Sequence, residues 1–196
     1  MITERDRRIL NYLYIYKYIT LEQLEKIFFK DIQYSYNVAR RRMQALLKAG
    51  YIKVTKSKAT KKNIYYLNED TITNIPSEEE LIFLDVLSFV FYKDFKVLSA
   101  KFYPKQTSPY GVGYINIQTT NEPKQLIVII EFFGHINNIE NYVFSKEFTN
   151  LIKLKSSYNI LLISDTNHIF DNKSLSIHQS NTNLANIVEY LDSLLQ

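Results

Sequence analysis

Arg40, Arg41 and Arg42 stand side by side in a stretch, about Ser35 to Ala49, whose apolar residues recur at helical spacing. All six arginines of the chain fall between residues 5 and 42, while its lysines are spread from end to end. A guanidinium is a planar fork of donors that fits base edges and phosphates, which an ammonium cannot copy. The first residues of a helix laid in the major groove, about 12 Å wide, meet base edges. Here those residues are Ser35, Tyr36, Asn37, Arg40 and Arg41, with Gln44 and Lys48 also off the core face. Asn can pair adenine at two points and Arg can pair guanine likewise. A second cationic set lies between 56 and 62, where Lys56, Lys58, Lys61 and Lys62 put four lysines in seven residues. At a hairpin tip they would follow a phosphate backbone, which sets register and carries no sequence information. The chemistry predicted is sequence-specific binding of double-stranded DNA.

The elements that must position these groups are legible around them. Thr3 and Asp6 have the spacing of a capping box, and Ile9, Leu10, Leu13, Tyr14 and Tyr18 form a stripe expected to be core. Thr20 and Gln23 form a full capping box before Leu21, Leu24, Ile27 and Phe28. A turn over Lys30–Tyr34 leads to the third helix, with Ala39, Met43, Leu46 and Leu47 facing inward. Gly50 is the expected left-handed stop. Tyr51–Thr55 and Asn63–Leu67 alternate like strands and bracket the lysines. Helix, turn, helix and basic hairpin in that order predict a winged helix-turn-helix over 1–70. The third helix holds no Asp or Glu to neutralise its arginines. Arg42, beside Met43, is expected to brace the fold or a phosphate. For Tyr34 and Tyr36, core and contact roles are both open.

Composition frames the rest. The chain has 196 residues, 46% hydrophobic and 14% aromatic, which is ample for a packed core. Residues 1–70 carry 15 Lys and Arg against 7 Asp and Glu, whereas 71–196 carry 9 against 13. A basic head on a mildly acidic body fits a nucleic-acid-binding module joined to something that does not bind it. There is no cysteine, hence no disulfide and no thiolate metal site. No apolar run approaches the roughly 20 residues of a membrane span, and Glu4, Arg5 and Asp6 close to Met1 break any signal-peptide pattern. The expected location is the cytoplasm.

The head resembles the replication-relaxation family, winged-helix proteins of bacterial plasmids and conjugative elements. The residues that carry the resemblance are Ile2-Thr3-Glu4-Arg5-Asp6, Ile9-Leu10, Ile19 to Leu24, Ala39 to Met43, Ala49 to Ile52 and Tyr65-Tyr66-Leu67. They cover about the first third of the chain. The resemblance implies DNA binding tied to plasmid replication, to conjugation, or to transcription regulation.

Residues 71–77 are polar, include Pro76 and read as a linker, leaving 78–196 as a second, α/β domain. Ser77 and Glu78-Glu79-Glu80 start a helix with the right charge sign, and Leu81, Leu84, Leu87 and Val90 or Phe91 carry its apolar face. Strands are expected over Val97–Tyr103, Val112–Thr119, Gln125–Phe133, Tyr158–Ser164 and Ser174–His178, with helices over Asn138–Ser156 and Thr182–Leu195. The chain is thus expected to be α+β, its second domain built on a central mixed sheet. That order resembles the restriction-endonuclease-like fold, which implies an acid on one strand and acid-x-Lys on the next, holding Mg²⁺. Glu131 falls at the second acid, but the position two residues on is Phe133, and Val112–Thr119 has no acid. The fold is therefore expected to be catalytically degenerate, with no catalytic residue, metal or cofactor. Glu131 is expected to reach solvent at a strand end or to pair with a lysine. His135, His168 and His178 lack metal-site spacing. The terminal helix either caps the sheet or joins two copies in a homodimer. Double-stranded DNA and replication or conjugation proteins are the expected partners, and a membrane is not. Two alternatives stand beside the DNA-binding reading: a Mg²⁺-dependent nuclease with a migrated lysine, and an adaptor that recruits a relaxase or replication initiator.

Overall fold

The computed structural model describes residues 2–69, 75–106, 109–119, 122–132, 139–153, 158–166 and 176–194. Among them, seven helices and two sheets give a mixed α and β chain with two compact units, Met1–Ser88 and Phe89–Gln196. No helix among the described residues is long and apolar enough to cross a membrane.

The first unit runs α1 (Glu4–Tyr16), β1 (Ile19–Thr20), α2 (Leu21–Phe28), α3 (Ser35–Lys48), β2 (Ile52–Lys56) and β3 (Asn63–Leu67). Both capping boxes are present: Thr3 and Asp6 close α1, and Thr20 and Gln23 close α2. Each satisfies two of the amide donors that a helix start leaves over. The left-handed Tyr34, at φ 58°, turns the chain into α3. Gly50, at φ 76°, ends it, and nothing lies within 4 Å of where a Cβ would stand, so the demand for glycine there is conformational. The strands form an antiparallel sheet in the order β1-β3-β2. Ile9, Leu13, Leu24, Phe29, Ala39, Met43, Leu46 and Ile64 are buried at its centre.

The expected stripe on α1 needs one correction. Tyr14 is 68% exposed, and Tyr12 takes the inward place instead, its ring 4.7 Å from Tyr16 and edge-on to Phe28. Ile9, Tyr12 and Leu13 follow the i, i+3, i+4 rule, and Tyr14 falls outside that arc. On α2, Ile27 and Phe28 are half-buried, while Gln23 is fully buried.

Helix α4 (Glu78–Tyr92) begins at Ser77, whose hydroxyl accepts from the Glu80 amide at 3.2 Å. It is apolar nearly all round: Leu81 to Leu84, Val86, Leu87 and Val90 are all buried. The Gln23 amide donates to the Leu81 carbonyl at 3.4 Å and to Asp85 at 2.9 Å. These bonds tie the first part of α4 to α2. The division by packing therefore falls between Ser88 and Phe89, later than the expected linker at 71–77, of which 71–74 lie outside the described residues.

The second unit carries β4 (Lys96–Pro104), β5 (Gly111–Gln118), β6 (Pro123–Ile130), α5 (Ile139–Val143), α6 (Lys146–Leu151), β7 (Tyr158–Ile163), β8 (Ile177–Ser180) and α7 (Ile187–Ser193). Its sheet has the order β4-β5-β6-β7-β8, antiparallel through β6 and parallel from β6 to β8. Strands β6 and β7 read as near-continuous apolar runs because both of their faces are buried. Phe148 of α6 and Val143 of α5 pack with Ile127, Ile129, Ile160 and Leu162 on one face.

Two expected helices are shorter than the pattern implied. The span Asn138–Ser156 holds α5 and α6, because extended Ser145 accepts from the Phe148 amide and restarts the chain as a new helix. The last helix begins at Ile187 and not at Thr182, since Leu184 sits at φ 56°, which no right-handed helix can pass through. The expected strand at Ser174–His178 is β8, at Ile177–Ser180, and residues 174 and 175 lie outside the described set.

Candidate nucleic-acid interface

Helix α3 turns Ala39, Met43 and Leu46 into the core of the first unit, which sends Asn37, Arg40, Arg41, Gln44 and Lys48 to the surface. Tyr34, Asn37, Arg40, Arg41 and Gln44 line one concave surface of about 400 Å³. Four of these five were predicted from sequence. Tyr34 is 72% and Tyr36 44% exposed, so both are surface side chains. Arg41 donates from Nε to the Asn37 carbonyl at 3.4 Å, which orients its fork along the helix. Among the described residues neither Arg40 nor Arg41 holds a carboxylate.

Arg42 is different. Its Nε and Nη2 both donate to the carboxylate of Asp6, a residue fully buried on α1. Burial pushes the Asp6 carboxyl up, but the Arg42 guanidinium and the Thr3 hydroxyl and amide outweigh that and hold it at about 2. The third arginine thus braces α3 against α1. Ser35, expected at base edges, has its hydroxyl on Glu25 of α2. Its side chain joins two helices, and it does not share the exposed face of Asn37 and Arg40.

The hairpin between β2 and β3 is built on Ser57. This buried residue accepts from the Thr60 amide at 3.1 Å, and its own amide donates to the Lys62 carbonyl at 2.9 Å. Lys61 takes a left-handed conformation at φ 59° to complete the turn. Lys56, Lys58 and Lys61 are exposed and Lys62 is half-buried. A cleft of about 370 Å³ brings Lys56, Lys61 and Lys62 together with Tyr36 of α3, beside Glu22, Asn63 and Tyr65. Lys58 is outside that cleft.

Beneath the hairpin lies a polar cluster that sequence reasoning missed. Asp85 is pushed up by burial, and the Gln23 amide, Lys62 and Lys26 pull it back down. Lys26 is pushed down by burial, and Asp85 offsets part of that. Gln23 was legible as a helix cap; its reach to α4 was not, since nothing in the sequence pairs residue 23 with residue 85.

In the second unit Glu131 follows the last residue of β6 and its amide donates to the Ile163 carbonyl at 2.9 Å. Its side chain is 0% exposed, which overturns the expectation that it reaches solvent. Strand β7 lies beside this position, which the sequence showed only as a strand end. The His178 ring stacks on Tyr190 at 4.1 Å. His135, His168 and Phe133 lie outside the described residues. Among the described residues no three His, Asp or Glu side chains gather closely enough to hold a metal ion.

Compared with models of protein families, with curated proteins and with solved structures, the chain matches none.

Proposed function

We propose that this chain binds double-stranded DNA with sequence preference, and that its first unit is a winged helix-turn-helix. In that reading α2 and α3 are the helix-turn-helix, α3 is the recognition helix and the β2–β3 hairpin is the wing. The observation that carries it is the different treatment of neighbouring arginines. Arg42 is drawn onto a buried carboxylate, while Arg40 and Arg41 stand exposed on one concave surface with Asn37 and Gln44. Two exposed guanidinium groups without an acidic partner, on a helix with no acid, are placed to meet the base edges and phosphates of a duplex groove. The lysines that share a cleft with Tyr36 supply phosphate contacts beside them.

The resemblance of the head to replication-relaxation proteins directs the biological role to replication, transfer or transcription regulation of a plasmid or other mobile element, in the cytoplasm. For the second unit we propose a degenerate restriction-endonuclease-like body that binds a protein partner or a second copy. Its order, an antiparallel β4-β5-β6 joined through α5 and α6 to parallel β7, supports that reading.

Selection of bound duplexes from a random library, followed by footprinting, tests the proposal. An enriched motif that Arg40→Ala relaxes at one base pair supports it. Binding without enrichment at physiological salt, with a protein partner recovered instead, favours the adaptor reading. Mg²⁺-dependent cleavage that Glu131→Gln abolishes favours the nuclease.

A further inference from the structure

We infer that Arg5 and Arg41 together hold a backbone phosphate of the bound duplex, on the flank of α3 that faces away from the wing. The inference rests on the DNA-binding reading above and extends it to a residue of α1. At 3.6 residues per turn, Tyr36 and Arg40 lie toward one side of α3 and Val38, Arg42 and Ala45 toward the other, with Asn37, Arg41 and Gln44 between. The first side borders the wing cleft, which contains Tyr36. The second borders a cleft of about 590 Å³ lined by Arg5, Asp6, Phe29, Val38, Arg41 and Arg42. Arg41 also lines the concave surface shared by Asn37, Arg40 and Gln44, so the two sites are continuous.

The charge of this second cleft is settled by pairing. Asp6 is taken by Arg42, and Glu4, which also lines the cleft, is 3.5 Å from Arg7. Arg5 and Arg41 are the cations left over. Arg5 is held in place by Phe29, a ring only 2% exposed, with the guanidinium carbon 4.8 Å above its centroid. A cation stacked on a buried ring keeps its edge donors free and loses little freedom on binding an anion. A duplex read through its major groove presents a phosphate strand on each side of the inserted helix. The wing lysines face one strand and the Arg5–Arg41 pair faces the other. The ligand implied is therefore a phosphodiester of the strand opposite the wing.

The test uses the full chain and its selected duplex. In the wild type, phosphate ethylation should interfere with binding on both strands. Arg5→Ala should abolish the interference on the strand away from the wing and lower the slope of log K against log salt by about one, with the ranking of base sequences unchanged. Arg5→Lys should recover part of that slope. Wild-type interference confined to the wing's strand overturns the inference, as does an Arg5→Ala protein with the wild-type slope and pattern. Wild-type protein that binds no duplex at all removes the underlying reading as well, and this outcome is distinct from the other two.

Discussion

Arg42 of α3 grips both carboxylate oxygens of Asp6 on α1, and Asp6 is at the same time the second half of the capping box with Thr3. One buried carboxylate therefore closes a helix and fixes the angle at which the next-but-one helix meets it. Removing the guanidinium leaves a buried charge with only the Thr3 donors. Arg42→Ala should cost about 3 kcal/mol of stability, the lower end for breaking a buried pair because Arg42 itself reaches solvent. Arg41→Ala, on the exposed face, should stay within about 0.5 kcal/mol. Urea unfolding of the two variants checks the contrast, and equal losses would count against a structural Arg42.

The same pair sets the response to acid. Asp6 is held at about 2 in the folded chain against an ordinary value of 3.8. A carboxyl whose folded value is depressed adds stability that is full above the unfolded value and is lost as pH falls through the folded one. Thermal midpoints should thus decline between about pH 4 and pH 2. In Arg42→Ala the Asp6 share of that decline should vanish or reverse, because burial then acts on Asp6 without its main counterweight and pushes its folded value back up. An unchanged acid limb in that variant would show that other carboxyls govern it.

The sequence carried the helices of the first unit well, since caps and periodicity are local signals. Thr3, Thr20 and Gly50 mark ends that depend only on neighbours a few residues away. The exposed arginines were legible for the same reason: Ala39 and Met43 set one face, and the rest follows from 3.6 residues per turn. What failed depends on partners distant in the chain. Ser35 was drawn to Glu25, Glu131 was buried, and Gln23 reached Asp85 on α4. The expected long helix at 138–156 failed on a local signal, Ser145, which can cap a new helix as readily as sit within one. Arg5 had no site role in the sequence, because its support, Phe29, comes from the end of another helix.

Arg40 is the sharpest probe of the proposed base readout. Its side chain lies on the exposed face of α3, turned toward the hairpin, and it shares its concave surface with Asn37 and Gln44. Arg40→Ala should lower affinity for the selected site by about 1–3 kcal/mol and flatten preference at a single base pair. Affinity for unrelated duplexes should fall far less. Competition binding against single-position variants of the site reads this directly, and a uniform loss across all positions would reassign Arg40 to a phosphate.

The lysines of the β2–β3 hairpin should behave in the opposite manner. Lys58→Ala removes an exposed charge at the tip. Lys61 sits at φ 59°, a conformation that Asn tolerates well, so Lys61→Asn deletes the ammonium without straining the turn. Each variant should weaken specific and non-specific binding alike and reduce the salt slope by about one. Preference among sequences should not change. A shift in preferred sequence on losing either lysine would mean that the hairpin reads bases.

Asp85 offers a test in which removing a charge should help. Burial pushes its carboxyl up, and Gln23, Lys62 and Lys26 only partly reverse that. A carboxyl with a raised folded value favours the folded state below the unfolded value and loses that contribution as pH rises through the folded one. At neutral pH the ionised group therefore costs stability. Asp85→Asn keeps an oxygen for the Gln23 amide, which now donates to Asp85 at 2.9 Å, and sheds the charge. The variant should melt at or above the wild-type temperature at pH 7, and the gap should close in acid, where both side chains are neutral. Asp85 also acts on Lys62, which lines the hairpin cleft, so under the proposed function the variant should bind duplex more tightly at low salt, with the gain fading as salt is added. Loss of stability at pH 7 would mean that the carboxylate is held by its lysines more strongly than burial opposes it, and tighter binding that persists at high salt would point to a change in the hairpin's shape and not in its field.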